Sequence, residues 1–450
     1  MTLATLARPV GRRFLAVCLL ALCICGTATA ASVRGATDPI EPQEWWLAHV
    51  GADPAAAPGP GVPITIVDSG TDPTHPDFAG RPNTTYLNEQ TTFGREEYHG
   101  TMVASLAAAP ENGADLVGVY PTAALQLFDA SPNGQVLDFA AISGIELASA
   151  HCPGVINLSF GSVISDPQLH DAILHAVHAG CLVVAAGGNF GEEGSPAVYP
   201  ASWPHVFTVA ATDENDAVTS FSSISPANDI AAPGINMIVD VPITRSPNGY
   251  QSGDGTSFSA PLVSAAAAWI WTLRPTLTVS QLAGVLRAGA RDIGPPGFDN
   301  SSGWGILNIP ASLAAPAPPA DPGEPNDDIE QVKPGQLFEL GEPALTTTAK
   351  PSSRVAATLD AAEDPQDLYR VWVPAHTTVR VSVSGGGRAV ARIWGANTVS
   401  VNEGLAARRR DLKGQSISAT KKGFAAFVEV LLTGRSTHAS YVLNVKAAKR

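Results

Sequence analysis

The sequence predicts an α/β domain built on a mainly parallel sheet with helices on both faces, followed by an antiparallel β-sandwich. Three observations predict this. Between residues 64 and 290, short β-branched apolar runs alternate with longer amphipathic segments of helical period, the pattern of a parallel sheet covered on both faces. Residues 310–325 are rich in proline among small residues, which marks an extended linker. Beyond it the period changes to two, as in Thr378-Val379-Arg380-Val381-Ser382-Val383, the signature of half-buried strands. A chain of 450 residues is long enough for one large core and a smaller one. The expected divisions are a leader over 1–30, a first domain over 31–309, the linker, and a second domain over 326–450.

The elements follow in order. Arg8, Arg12 and Arg13 precede an apolar run at 14–24, and Ala28-Thr29-Ala30 offers a small-residue cleavage site, so residues 1–30 read as a secretory signal peptide. The run is too short to span a bilayer comfortably, and no other segment has the length and purity of a membrane helix. Residues 38–52 hold Trp45-Trp46 and little else apolar. Strands are expected at 64–67, 125–128, 155–160, 182–186 and 205–211, and helices at 99–109, 136–150, 167–179, 257–273 and 278–288. In the second domain, strands are expected at 378–383, at 424–431 and around Tyr441, Leu443 and Val445. Internal repeats are absent.

Charge is unevenly placed. Residues 31–330 hold 32 Asp and Glu against 7 Lys and Arg, whereas residues 331–450 hold 9 against 17. An acidic first domain fits solubility outside a cell and gives no footprint for nucleic acid. Of five cysteines, Cys152 and Cys181 survive signal cleavage, too few for a four-ligand zinc site without several nearby histidines.

Chemistry concentrates in three stretches. Gly255-Thr256-Ser257-Phe258-Ser259-Ala260-Pro261 precedes an apolar run, which sets Ser257 in the first turn of a buried helix, where free N–H groups and a positive dipole end suit a serine that attacks a carbonyl. Ile66-Val67-Asp68-Ser69-Gly70 closes a strand, and His99-Gly100-Thr101 opens a helix. Each has a plainer reading when taken alone: a helix cap, an Asx turn, a polar helix start. Together, in the order Asp, His, Ser, they resemble the subtilisin-like serine proteases, or subtilases. The resemblance covers residues 38–315, closing on Gly303-Trp304-Gly305 and Asn308.

The resemblance implies a subtilisin-like fold and a secreted endopeptidase that acts through an acyl-enzyme. Ser257 is then the nucleophile, His99 the general base and Asp68 the residue that orients the imidazole. Asn189, after the run 183–188, is implied as an oxyanion donor beside the backbone N–H of Ser257. Ser159, Phe160 and Gly161 are implied to pair with an extended substrate, residues 131–134 to form the opposite wall, and the loop 190–198 to border the pocket for the residue before the scissile bond. Within that loop, Glu192 and Glu193 read as solvated charges, the alternative being that they favour a basic side chain in the pocket. Met102 stands where the family usually has a second histidine outside the triad. Asp77 and Asn112 match positions that bind calcium in some subtilases, so a structural calcium is the one cofactor expected. About thirty residues separate Ala30 from Gly61, a gap too short for the family's separate folding prodomain.

Glu324-Pro325-Asn326-Asp327, with Asp364, Asp367 and Tyr369, resembles a pre-peptidase C-terminal domain, an accessory module. Because the subtilase strands that follow Cys152 and Cys181 are parallel neighbours, a disulfide between these cysteines is expected at the sheet edge opposite Asp68. The expected partners are polypeptide substrates, with no nucleic acid and no membrane anchor, and the protein is expected to be a monomer. A lipase or esterase of the α/β-hydrolase type needs Gly-x-Ser-x-Gly and the order Ser, Asp, His, neither of which is present. The competing reading from another class is an inactive protease-like domain that displays the C-terminal β-domain as an adhesin.

Overall fold

A computed structural model describes residues 38–91, 98–131, 135–361, 364–386, 388–401, 412–434 and 438–449. The leader expected at 1–30 lies outside them. No helix among the described residues is long and apolar enough to cross a membrane.

The first domain is built on seven strands: β1 Ile64–Asp68, β2 Thr84–Tyr86, β3 Leu125–Asp129, β4 Gly154–Leu158, β5 Cys181–Ala186, β6 Val206–Thr212 and β7 Asn228–Pro233. Their order is β2-β3-β1-β4-β5-β6-β7, and every pair is parallel. Successive side chains leave opposite faces of a strand. Thus Leu182, Val184 and Ala186 join one core, with helices α2 (His99–Ala108), α5 (Thr256–Leu273) and α6 (Val279–Gly289). Val183 and Ala185 join another, with α3 (Asp138–Ser149) and α4 (Pro167–His178). Short α1 (Trp45–Val50) packs Trp46 and Val50 into the first core. A hairpin of β8 (Met237–Asp240) and β9 (Tyr250–Gly253) leads into α5.

Local chemistry sets the helix ends. Asp166 accepts from the N–H groups of Gln168 and Leu169 to start α4, with Pro167 in its first turn. Thr278 and Gln281 form a capping box on α6. The run Ala265-Ala266-Ala267-Ala268 lets the buried α5 lie close against β4 to β7.

The chain crosses from β3 on one side of β1 to β4 on the other, so the sheet's switch point lies beside the end of β1. Ligands of open α/β sheets bind at the carboxyl ends of strands there, and Asp68 stands at that end. At the opposite edge Cys152 and Cys181 are joined, with Cα atoms 5.1 Å apart, and Gly154 pairs with Cys181 in the parallel register.

Residues 310–325 differ from the extended linker expected. Their first part belongs to α7 (Ile309–Ala314), which Asn308 caps and whose first turn accommodates Pro310 without losing a ladder bond. The rest is anchored: Arg274 donates to the carbonyl of Ala315 at 2.8 Å and Gln281 to that of Pro318 at 2.8 Å. After the short α8 (Ile329–Val332) come β10 Ser352–Asp360, β11 Gln366–Val373, β12 Thr377–Gly385, β13 Ala389–Trp394, β14 Leu412–Gly414, β15 Ser416–Ala419, β16 Phe424–Leu432 and β17 His438–Lys449. They form two four-stranded antiparallel sheets, β10-β17-β12-β15 and β11-β16-β13-β14. Val379, Val381 and Tyr441 of the first meet Tyr369, Val371 and Val428 of the second in a shared core.

Candidate active site

Asp68 is buried, and its Oδ1 accepts from the N–H of Ser69 at 2.7 Å and from Nδ1 of His99 at 2.8 Å. The next residue explains how α2 comes so near β1. A Cβ at Gly100 would lie 1.6 Å from the carbonyl oxygen of Ser69, so only glycine lets the helix start here. Its N–H donates to Ser69 Oγ at 3.0 Å. The His99 ring lies against Phe258, with centroids 6.0 Å apart, and keeps 36% of its side chain exposed. Burial pulls the imidazole toward its neutral form. The charge of Asp68 and its hydrogen bond outweigh that effect and raise the His99 pKa above its ordinary 6.5.

Ser257 is the second residue of α5, after Gly255 at the N-cap. Its hydroxyl donates to the carbonyl of Ser159 at 3.0 Å rather than to His99. Pro261 has no N–H to offer the carbonyl four residues back, which is that of Ser257. That carbonyl accepts instead from Ser159 Oγ at 2.9 Å. Ser159 Oγ in turn accepts from Asn157 Nδ2, and Asn157 Oδ1 from Ser264 Oγ, both at 2.9 Å. A buried polar chain thus ties the end of β4 to the first three turns of α5. Sequence reading grouped Ser159 with substrate-binding residues and missed this chain. The available signal was Pro261 itself, which frees a buried carbonyl that must find a donor.

Asn189 follows β5 and lies at the surface. Its Oδ1 accepts from both the N–H (3.0 Å) and the hydroxyl (2.8 Å) of Thr256. With the oxygen so held, Nδ2 faces the other way. A Cβ built on Gly255, at φ +152°, would lie 3.3 Å from Asn189 Nδ2 and 3.8 Å from the nitrogen of Ser257. The spot at Gly255 thus has the nitrogens of Asn189 and Ser257 near it, with Asn189 Oδ1 at 4.0 Å, and such N–H groups are the donors an oxygen gaining negative charge needs.

Beyond Ser159, Phe160 is half-buried and Gly161 exposed. Neither continues β4, which ends at Leu158, whereas the sequence suggested a strand to 160. Ser162 makes an antiparallel bridge with Tyr199 instead. Of the opposite wall, Ser131 is buried and residues 132–134 lie outside the described residues. Glu192 and Glu193 are exposed, and Ser220 donates to Glu192 at 2.5 Å.

Two clusters could hold a cation, and the first gathers His75, Asp77 and Asp115. In the first, Asn112 Nδ2 donates to Asp77 Oδ1 at 3.0 Å and the Leu116 N–H to Asp77 Oδ2 at 3.3 Å. Asn112 Oδ1 accepts from the Ala114 N–H at 2.7 Å. Behind Asp77, burial and the neighbouring Asp77 carboxyl push Asp240 well above the carboxylate range, and burial pushes Asp77 to about 6. In the second, oxygens of Asp321, Glu324 and Asp364 lie within 4.8 Å of one another. Fully buried Asp367 accepts from the Tyr441 hydroxyl on Oδ2, and its Oδ1 has no hydrogen-bond partner. Burial and mutual repulsion raise Glu324, Asp364 and Asp367 far above their ordinary values. From the first domain, His205 donates to Asp327 at 2.6 Å.

Residues 59–305 match the profile of the Subtilase family. The chain is 33% identical over 260 residues to a subtilisin of Bacillus pumilus, an alignment covering 56% of this chain and 91% of the relative. It is 33% identical to Subtilisin NAT of Bacillus subtilis subsp. natto, over 56% of this chain and 66% of that protein's length. Against the minor extracellular protease Epr of Bacillus subtilis (strain 168) it is 30% identical, over 61% of this chain and 41% of the relative. Among solved structures, fervidolysin from Fervidobacterium pennivorans aligns with a TM-score of 0.57 at 21% identity, over 87% of this chain and 70% of that one. The psychrophilic subtilisin-like protease Apa1 from Pseudoalteromonas sp. AS-11 aligns at 0.53 and 21% identity, over 60% of this chain and 97% of that one. At these identities the structural likeness is one of fold.

Proposed function

The chain belongs to the subtilase family, and from that premise we propose that it is a secreted serine endopeptidase working through Asp68, His99 and Ser257. The observation that carries the reading is the 2.8 Å bond from His99 Nδ1 to Asp68, set beside the first turn of α5. A carboxylate can only accept, so Nδ1 holds the proton and Nε2 keeps a lone pair that can take the proton of Ser257. For attack, the Ser257 hydroxyl turns from the Ser159 carbonyl toward His99. Its oxygen adds to the scissile carbonyl, and the proton passes to Nε2. The new oxyanion takes N–H donors from Asn189 and Ser257 at the end of the α5 dipole. Collapse of this intermediate expels the amine, which receives the proton from His99 and leaves an acyl-Ser257. Water then repeats the sequence and frees the acid.

Secretion is supported by the leader pattern at 1–30, and N-terminal sequencing of the exported protein tests it. For the structural calcium, Asp77 and Asn112 are a poor fit because Asn112 offers Asp77 an N–H, and its oxygen already accepts from Ala114. The buried oxygens of Asp321, Glu324, Asp364 and Asp367 that have no hydrogen-bond partner fit a hard cation, which would supply positive charge to a cluster of buried carboxyls. The triad is tested by comparing wild type with Ser257→Ala on casein. The variant is expected to fold and to lose nearly all hydrolysis, and near wild-type turnover would refute the mechanism.

A further inference from the structure

The side chain of the residue before the scissile bond starts two bonds from the carbonyl carbon. With its carbonyl between Asn189 Nδ2 and Ser257 N, that side chain must enter between the segments that follow β4 and β5. These are residues 159–161, whose Ser159 holds Ser257, and residues 187–189, which end at Asn189. Glycines on both walls, Gly161 and Gly188, leave a slot between them. Val198 occupies it. A Cβ at Gly161 would lie 2.7 Å from Val198 Cγ1, and one at Gly188 would lie 2.8 Å from Val198 Cγ2, so each methyl rests against one wall.

Val198 is also fixed in place. It is 2% exposed, its N–H donates to Ser202 Oγ at 3.1 Å, and its carbonyl accepts from the Ser202 N–H at 2.7 Å. The adjacent Tyr199 exchanges two backbone bonds with Ser162, at 2.7 and 2.8 Å, which clamps the valine to the Gly161 wall. A β-branched side chain held this way has few rotamers to retreat into. We propose that Val198 closes this slot and restricts the enzyme to peptides with a small residue, Gly, Ala or Ser, before the scissile bond. A longer side chain would have to displace a packed valine, which interiors resist.

This inference rests on the peptidase reading, and its test separates the two. A matched peptide series differing only before the scissile bond (Gly, Ala, Ser, Leu, Phe, Lys) is assayed with wild type, Val198→Ala and Val198→Gly, with melting curves confirming that each variant is folded. Wild type is expected to favour Ala over Phe at least tenfold in kcat/KM, the scale on which a hydrophobic pocket discriminates by size. The Phe-to-Ala ratio is expected to rise at least tenfold in Val198→Gly and part-way in Val198→Ala. A wild type that cleaves Phe as well as Ala, or a ratio unmoved in both folded variants, overturns the closed slot while leaving a Ser257-dependent peptidase intact. Absence of Ser257-dependent turnover on every peptide overturns the peptidase reading and this inference with it.

Discussion

In the proposed mechanism His99 must be neutral to act as a base, yet it sits beside a carboxylate that stabilises its charged form. On that reading Asp68 sets the acid limb of the reaction. Protonation of His99 is expected to reduce kcat/KM as pH falls through a value above 6.5, and Asp68→Asn is expected to move that limb to lower pH while lowering kcat steeply. A pH–rate profile with its acid limb well below 6.5 in wild type would contradict the pairing. Asn189→Ala is expected to lower kcat by about 10²–10³ with little change in KM, the scale measured when subtilisin loses one oxyanion donor. A change confined to KM would make Asn189 a binding residue instead. The proposed site residues Asp68, His99, Ser257 and Asn189 could be picked out in the sequence because each sits in a short contiguous motif. Thr256, Gly255 and the chain Ser264–Asn157–Ser159 were not, because their roles arise from hydrogen bonds between segments up to 107 residues apart.

Among the elements, strand and helix cores were legible and their ends were not. Periodicity locates the apolar run 182–186, but the strand reaches back to Cys181 because Gly154 pairs with it across the sheet. β7 and the hairpin β8–β9 escaped notice because Asn228-Asp229 and Asp240 break their apolar pattern; all three are buried. The proline stretch hid α7, since proline in a first turn costs a helix nothing. The junction of β1 and α2 depends on one atom's absence. Gly100→Ala is expected to destabilise the fold by about 3 kcal/mol or to push α2 off Ser69 and abolish activity. A stable, fully active Gly100→Ala would show that the junction has slack. At the far edge, the Cys152–Cys181 bridge spans a sequence separation of 29 residues. Its removal by a double Cys→Ser substitution is expected to cost about 3.5 kcal/mol in the chain-entropy model, read from denaturant midpoints, without changing kcat.

At the scale of the whole molecule, acidic charge is held where burial opposes it. Glu44 is pushed by burial to about 9 and Asp77 to about 6, and burial with mutual repulsion raises Asp240, Glu324, Asp364 and Asp367 well above their ordinary values. A carboxyl with a raised folded pKa binds more protons folded than unfolded, so stability falls as pH rises from the unfolded value, about 4, through the folded one. Cation-free protein is therefore expected to melt at lower temperature at pH 8 than at pH 5. Calcium is expected to restore the loss at pH 8 and to fail to do so in Asp367→Asn or Glu324→Gln. A melting temperature at pH 8 unmoved by calcium would show that these carboxyls hold no calcium. The central claim remains the nucleophile, and its most direct test is mass-spectrometric mapping of a fluorophosphonate adduct on the mature protein. One adduct is expected, on Ser257, and it is lost in His99→Ala. An unmodified Ser257, or an adduct that forms equally well without His99, would contradict it.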